Sequence, residues 1–192
     1  MKDLMPTLFG LAELLEQKGI KYAVMGGLAI RAYAIPRSTE DIDFTLSLDR
    51  RRLPELYSEL ETRNYSIPEP YRAGWVDQLS AAVPLKLVKL KRYVGDHAID
   101  VDLFLAETPF QDEVLKRRRL ADVKGRQLWL ASPEDLVLLK LAADRPRDWI
   151  DIADVFFTQG PLDEVYMRHW AKALDVERKL DRALAQRNDD RL

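Results

Sequence analysis

The sequence predicts an α/β (α+β) fold, in which a mixed β-sheet is flanked by helices and followed by a C-terminal helical subdomain. Up to about residue 130, segments with the alternation of half-buried strands are interspersed with segments of helical periodicity. From residue 146 onward every segment has helical periodicity. A chain of 192 residues, 47% of them apolar, can build one ample core or two small ones. We therefore predict a mixed domain over residues 1–130 and a helical subdomain packed on it over residues 131–192.

Apolar spacing defines the elements of the first half. Leucines three and four positions apart predict a helix over residues 4–18, and KYAVM (21–25) has the composition of a short buried strand. Gly26-Gly27 then makes a tight turn into a helix that ends near Pro36, because the residue before a proline disfavours helical geometry. The remaining predictions are strands over 41–48, 84–94 and 97–106, helices over 53–64 and 108–119, and an irregular segment over 65–83.

Turn and capping residues mark the element ends from residue 95 onward. Gly95-Asp96 is typical of a hairpin turn, and a second small hairpin is predicted about Gly125. The helix over residues 132–144 has the clearest start in the chain, with Ser132 as N-cap and Pro133 at the first helical position. Both signals satisfy or tolerate the unpaired N–H groups of a first helical turn.

Composition excludes several kinds of site. The chain has no cysteine, which excludes disulfides and zinc–thiolate sites, and two histidines are too few for most histidine-based metal centres. We expect a cytoplasmic protein on this basis. The apolar runs are too short to span a bilayer, so no membrane partner is expected. Acidic residues among the first 19 positions favour an amphipathic helix over a secretory signal.

Charge gives no global attraction to nucleic acid, because the formal net charge is −2. Basic residues do cluster locally at 116–119, and four more precede them: Lys86, Lys89, Lys91 and Arg92. Such clusters are typical of a solvated helix end and a solvated strand face, and the first is also a candidate docking patch for RNA.

The stretch MGGLAIRAYAIPRSTEDIDFTL (25–46) combines two features that suit phosphate and metal chemistry. A strand, two glycines and a helix place free N–H groups where no side chain obstructs a phosphate, although such a turn is also a common structural connection. Asp41 and Asp43 share one face of a strand, while Ile42 and Phe44 face the opposite, buried side. A lone Asp-x-Asp is also typical of a solvated strand edge.

A second pair of acids changes that balance. HAIDVDLFLA (97–106) supplies Asp100 and Asp102, again on one face of a predicted strand. If this strand lies beside the first, the carboxylates converge, and their repulsion costs stability unless a cation lies between them. Carboxylate oxygens suit Mg²⁺ or Mn²⁺ together with substrate phosphates. The sequence therefore predicts a site for a polyphosphate and its metal ions.

The later helices add charged residues in unusual settings. Lys140 lies within the apolar run LVLLKLAA, so its ammonium must snorkel to solvent or meet an acidic or phosphate partner. Asp148 and Asp151 are three positions apart on a predicted helix and share a face.

These motifs resemble a known superfamily. Two glycines, a helix and then RSTEDIDF (37–44) resemble the signature of the polymerase-beta-like nucleotidyltransferases, in the form seen in the AbiEii/AbiGii toxin-type subgroup. The likeness continues through VDLFLAETPFQDEVLKRRR (101–119) and SPEDLVLLKLAADRPRDWIDIADV (132–155), and extends over residues 20–157. It implies a minimal nucleotidyltransferase fold with its catalytic domain in residues 1–130.

The resemblance also implies roles for single residues. The expected nucleotide-binding residues are Gly26, Gly27, Arg37, Thr39 and Lys140. The expected metal ligands are Asp41, Asp43 and Asp102, with Asp100 as an extra acid that has no clear counterpart. Lys140 and Asp148 join the three matched aspartates as expected catalytic residues.

The implied reaction is metal-dependent transfer of a nucleoside monophosphate from an NTP such as ATP to an acceptor hydroxyl, with release of pyrophosphate. The subgroup implies an RNA-modifying toxin, acting for example on tRNA, within a toxin–antitoxin or phage-defence system that includes a cognate antitoxin. Two alternatives stay open. One is AMP transfer to a protein hydroxyl that silences a partner toxin, and the other is a non-catalytic nucleotide-binding module.

Overall fold

The computed structural model of the protein describes residues 4–72, 75–80 and 83–189. Its helices are α1 (Met5–Gln17), α2 (Gly26–Tyr33), α3 (Leu53–Glu61), α4 (Glu69–Arg72), α5 (Pro109–Arg117), α6 (Pro133–Ala143), α7 (Pro146–Gln159), α8 (Glu164–Ala173) and α9 (Glu177–Asp189). Its strands are β1 (Lys21–Met25), β2 (Asp41–Ser47), β3 (Tyr65–Ser66), β4 (Trp75–Ser80), β5 (Val83–Val94), β6 (His97–Leu105), β7 (Arg119–Val123) and β8 (Arg126–Leu130).

All of these strands belong to one mixed sheet, which confirms the predicted fold class. The order is β3-β5-β6-β2-β1-β8-β7, and β4 also pairs with β5. The pairs β2–β6 and β1–β8 are parallel, whereas the other neighbours are antiparallel. Strand β2 therefore lies near the centre of the sheet, with β6 on one side and β1 on the other.

The alternation of β2 divides the sheet into two faces. Ile42 and Phe44 are fully buried and pack with helices α1 and α3 on the first face. Burying side chains of this size stabilises the fold by about 1.5–3 kcal/mol each. Asp41 and Asp43 must then point to the second face, where helices α2 and α5–α9 pack around a second apolar cluster.

The predicted Ser132 cap and the predicted Gly95-Asp96 turn are confirmed, and Thr108 is a further cap. The hydroxyls of Thr108 and Ser132 accept hydrogen bonds from backbone N–H groups in the first turns of α5 and α6. Val94 pairs with His97 across the Gly95-Asp96 turn. These local signals are strong enough to position element ends without tertiary help.

The prediction of an irregular segment over 65–83 is wrong where the structure describes it. This segment contains β3, α4 and β4, and both strands pair antiparallel with β5. Pro70 is tolerated because it lies in the first turn of α4, where its missing N–H has no intrahelical partner. The rest of the segment that was predicted to be irregular, residues 73–74 and 81–82, lies outside the described residues.

The C-terminal helices share their apolar cluster with α2, α5 and one face of the sheet. Phe156 of α7 and Leu180 of α9 are both buried in it. The boundary at residue 130 stays a prediction. No described helix is both long and apolar enough to cross a membrane.

Candidate active site

Two rows of charged side chains cross the sheet on its second face. Parallel pairing of β2 with β6 aligns Asp41 with Asp100 and Asp43 with Asp102, and antiparallel pairing of β5 adds a lysine to each row. The outer row is Lys91, Asp100 and Asp41. The inner row is Lys89, Asp102 and Asp43. The predicted convergence of the four carboxylates is therefore present in the sheet register.

The two rows differ in depth. In the outer row, Lys91 Nζ lies 3.3 Å from Asp100 Oδ1, and the Asp100 side chain is 56% exposed. In the inner row, Lys89 Nζ lies 3.1 Å from Asp102 Oδ2, and the Asp102 side chain is only 16% exposed. The acid of the inner row is therefore much less accessible to solvent than the acid of the outer row.

Among the acids of the inner row, Asp43 has the more strongly raised pKa. Burial raises the pKa of its carboxyl to about 7, and the neighbouring carboxylates of Asp41 and Asp102 act in the same direction. The positive charges of Lys140 and Arg145 partly oppose this increase. A carboxylate in this setting gains from any cation that approaches it.

The two glycines at the start of α2 make room for side chains of the site. A Cβ on Gly26, whose φ is +62°, would lie 1.8 Å from Asp43 Oδ2. A Cβ on Gly27 would lie 2.5 Å from Thr39 Oγ1. The closest described neighbours of both glycines are therefore protein side chains, and α2 begins against the carboxylate of Asp43.

The loop between α2 and β2 is fixed to helix α7. Arg37 donates two hydrogen bonds to Asp151, from Nε to Oδ1 at 2.6 Å and from Nη2 to Oδ2 at 2.7 Å. Arg147 donates to the carbonyl oxygen of Ser38 at 2.6 Å. Farther along the same loop, the Thr39 hydroxyl donates to Asp41 Oδ1 at 2.7 Å. The loop therefore connects α7 to Asp41 of the outer row.

Lys140 meets acidic partners, which is one of its predicted settings. Its ammonium lies 2.8 Å from Asp148 Oδ1 and 2.5 Å from Asp151 Oδ2, and all three side chains are less than 10% exposed. Burial alone would raise the pKa of Asp151, but hydrogen bonds from Arg37 and Lys140 outweigh it and leave that pKa below its ordinary value. We call Arg37, Lys140, Asp148 and Asp151 the helix cluster.

Asp151 is the central residue of the helix cluster, and the sequence did not single it out as a site residue. The available signal was its spacing, three positions after Asp148 on the same helical face. Its bond to Arg37 joins residues 114 positions apart in the chain and has no local signature.

The carboxylates of the site fit a divalent cation only in part without substrate. Within the described ranges, no group of three or more His, Cys, Asp or Glu residues is arranged to hold a metal by itself. Mg²⁺ usually takes one or two carboxylates and completes its shell with water and substrate phosphates. Asp43 together with Asp41 or with Asp102 meets that requirement. The raised pKa of Asp43 indicates that the nearby positive charges do not balance the negative charge at this position.

The basic cluster at 116–119 is largely engaged within the protein. Arg117 and Arg119 lie 3.6 Å and 3.2 Å from Glu134 Oε2. Arg118 stacks over the ring of Trp129, and Lys116 pairs with Glu113. This arrangement combines the solvated helix end that the sequence predicted with several structural contacts.

Comparison with known families identifies the family of the chain. The family described as "Nucleotidyltransferase of unknown function (DUF6036)" matches residues 4–169. The chain therefore belongs to this family of nucleotidyltransferases. None of the curated proteins matches the chain.

Three solved structures share the fold and are distant in sequence. An antigenic nucleotidyltransferase-like protein from Paracoccidioides brasiliensis has a TM-score of 0.55 and 19% identity, covering 91% of this chain and 93% of that one. The lincosamide antibiotic adenylyltransferase LnuA, with lincomycin bound, has a TM-score of 0.54 and 17% identity over 77% of this chain and 93% of its own. ANT(2")-Ia, in complex with adenylyl-2"-tobramycin, has a TM-score of 0.54 and 18% identity, covering 90% of this chain and 98% of its own. These likenesses show the nucleotidyltransferase fold.

Proposed function

We propose, from the premise that the chain belongs to a nucleotidyltransferase family, that it transfers a nucleoside monophosphate from an NTP to an acceptor hydroxyl with the help of divalent metal ions. The observation that carries this proposal is the alignment of Asp43 with Asp102 across two parallel strands, where the pKa of Asp43 is raised to about 7. Such a concentration of negative charge costs stability in the metal-free protein and is compensated when cations bind.

The metal ligands we assign are Asp41, Asp43 and Asp102. Mg²⁺ or Mn²⁺ ions, when bound, supply Lewis-acid stabilisation of the charge that develops on the phosphate oxygens. Asp102 suits the third position better than Asp100, because it lies directly beside Asp43 and is far less exposed. Asp100 then belongs to the outer edge of the site and forms an exposed pair with Lys91.

The reaction we propose is an in-line displacement. The acceptor oxygen forms a bond to the α-phosphorus, the bond from that phosphorus to the bridging oxygen of the leaving group breaks, and pyrophosphate departs. Asp102 accepts the proton of the acceptor hydroxyl, and its burial, which raises its pKa, supports that role.

The triphosphate side of the site is formed by α2, its following loop and the helix cluster. Gly26 and Gly27 let the start of α2 lie directly against Asp43 and Thr39, and in this proposal the free backbone N–H groups of that helix start bind a phosphate beside those side chains. Thr39 orders the acid Asp41, while Arg37 and Lys140 supply positive charge and are already positioned by Asp151. Asp148 contributes by holding Lys140 and does not reach the phosphates itself in this assignment.

The acceptor proposed from the sequence is RNA, with a tRNA end as one candidate, and a protein hydroxyl is the alternative. The internal pairing of Arg117 and Arg119 with Glu134 weakens the basic cluster as an RNA docking patch. A small hydroxyl compound is therefore a further candidate, in line with the lincomycin and adenylyl-tobramycin named for two structures of similar fold. The AbiEii/AbiGii subgroup, the toxin role and a cognate partner stay predictions from the sequence.

One labelling experiment tests the function and sorts the acceptors. The protein is incubated with Mg²⁺ and each α-³²P-labelled NTP, together with total RNA, total protein or a panel of small hydroxyl compounds. We expect label to enter one acceptor class with the wild-type protein and not with Asp43→Asn. Equal labelling by both proteins, or no labelling in any fraction, would contradict the proposed function.

A further inference from the structure

The third carboxylate of the site has a lysine against it. Lys89 lies directly opposite Asp102 in the β5–β6 register, and its ammonium is 3.1 Å from Asp102 Oδ2. The lysine side chain is 46% exposed, whereas the aspartate side chain is 16% exposed. An ammonium that reaches in from solvent therefore neutralises a carboxylate that is largely shielded from solvent.

Two opposing influences act on Asp102. Burial raises its pKa, Lys89 lowers it through both charge and a hydrogen bond, and the nearby acids Asp41 and Asp100 raise it again. Lys89 thus relieves part of the like-charge repulsion that the inner row suffers without a metal ion. A divalent cation would relieve the same repulsion more strongly, because it carries two charges.

We propose that Lys89 is a positioning residue that holds Asp102 in the metal-free protein and releases it when a divalent cation binds. This inference rests on the proposed function, since it concerns the metal ligands assigned there. Lys89 and the cation compete for one carboxylate, so the fraction of protein with a free Asp102 limits the apparent metal affinity. For an ion pair of this exposure, the expected reduction in metal affinity is about three- to five-fold.

Lys91 is the matched control. It lies two residues away on the same strand, has almost the same side-chain exposure (49%), and pairs with an aspartate of β6, as Lys89 does, at 3.3 Å. Its partner Asp100 is outside the assigned metal ligands. A change at Lys91 therefore removes an equivalent lysine and leaves the third ligand as it is.

The test measures thermal unfolding of the full chain against the Mg²⁺ and Mn²⁺ concentration without nucleotide. It compares the wild type with Lys89→Met, Lys89→Arg and Lys91→Met. Without metal, we expect Lys89→Met to unfold about 2–4 °C below the wild type, because Asp102 loses its counter-charge. At saturating metal the difference should disappear, and half-saturation should occur at a metal concentration about three- to five-fold lower.

Lys89→Arg retains the cation and Lys91→Met retains the Lys89–Asp102 pair, so both should reach half-saturation within about two-fold of the wild type. The inference is overturned if Lys89→Met needs the same or more metal, or if its loss of stability persists at saturating metal, because an ordinary structural ion pair behaves in that way.

Asp43→Asn distinguishes a failure of the proposed metal site from a failure of the proposed role of Lys89. If metal stabilises the wild type and not Asp43→Asn, while Lys89→Met behaves like the wild type, only the role of Lys89 is wrong. If metal stabilises none of these proteins, both the metal site and the role of Lys89 are overturned.

Discussion

The inner row and the helix cluster are two groups of acids on the same side of the molecule, and they differ in how their charge is balanced. In the inner row, Lys89 pairs with Asp102, whereas burial and the neighbouring acids raise the pKa of Asp43 to about 7 in spite of the positive charges of Lys140 and Arg145. In the helix cluster, two acids face two bases at 2.5–2.8 Å. Despite its burial, Asp151 has a pKa below the ordinary value.

The inner row therefore has too little positive charge for its acids, whereas in the helix cluster the acids and bases balance each other. The helix cluster satisfies its own charges, so it can hold the Arg37 loop and Lys140 in place in the absence of any ligand. The inner row stays under-compensated and therefore gains from a cation supplied from outside. Replacing Asp43 in the inner row and replacing Asp151 in the helix cluster should consequently have opposite effects on the stability of the metal-free protein.

The largest expected effect is on activity, in Asp43→Asn. Loss of a central metal ligand should reduce nucleotidyl transfer by roughly 10²–10³-fold or more, measured as initial rate with the labelled NTP. The same change should raise the melting temperature of the metal-free protein, because it removes a buried, repelled charge.

The pH dependence of that stabilisation follows from the raised pKa. An unfolded aspartate titrates near 3.9, whereas folded Asp43 titrates at about 7. The folded state is therefore penalised progressively from about pH 4 to pH 7 and fully above that range. The gain in melting temperature from Asp43→Asn should be larger at pH 8 than at pH 5, and an equal gain at both would contradict the assignment.

Asp151→Asn should have the opposite effect and destabilise the protein by about 3–5 kcal/mol, because Arg37 loses its carboxylate partner and Lys140 keeps only Asp148. Denaturant unfolding measures this loss, and Asp148→Asn is the control, with a smaller loss expected since Arg37 keeps its carboxylate. The pKa of Asp151 is lowered by folding, so its stabilisation is present above the unfolded pKa and disappears as the pH falls through the folded pKa. A gap between wild type and variant that widens in acid would disagree with this arrangement.

Gly26→Ala tests the contact between α2 and the inner row. The new Cβ would require Asp43 to move, in addition to the strain of a positive φ, and a loss of about 2–4 kcal/mol is expected from both. Gly19→Ala is matched in backbone, with φ +65° and nothing within 4 Å of its Cβ, so it should show the strain alone, about 1 kcal/mol. Equal losses from the two changes would show that Asp43 does not approach Gly26 closely.

Asp100→Asn should have the smallest effect and sharpens the contrast between the rows. Its carboxylate is 56% exposed and forms a surface pair with Lys91, which contributes about 0–1 kcal/mol. We expect transfer rates within about two-fold of the wild type, compared with the large loss expected for Asp102→Asn. A large loss in Asp100→Asn and a small one in Asp102→Asn would reverse the assignment of the third ligand.

The local patterns predicted much of the fold because they depend on neighbouring residues. Polar and apolar residues alternate along the sequence of β2, so the shared face of Asp41 and Asp43 was predictable, and the Ser132 cap defined the start of α6. Strands β3 and β4 were missed because their stability comes from pairing with β5, which no short window of sequence contains.

For the candidate site, the sequence predicted which residue types come together and did not predict their ion-pair partners. The sequence pointed to the four aspartates, yet the pairing of Lys89 with Asp102 depends on the register of β5 against β6. The bond between Arg37 and Asp151 likewise depends on how α7 packs against a distant loop. Long-range contacts of this kind have no periodic signature, so the sequence indicates for Lys89 only a solvated strand face.

The most direct test of the central claim is the binding of Mn²⁺ measured by titration calorimetry on the wild type and on Asp43→Asn, with a non-hydrolysable NTP analogue present. If the inner row is the metal site of a nucleotidyltransferase, the wild type should bind Mn²⁺ in the presence of the analogue and the variant should lose at least about ten-fold in affinity. Equal Mn²⁺ binding by the two proteins would show that the under-compensated charge of the inner row is not a metal site.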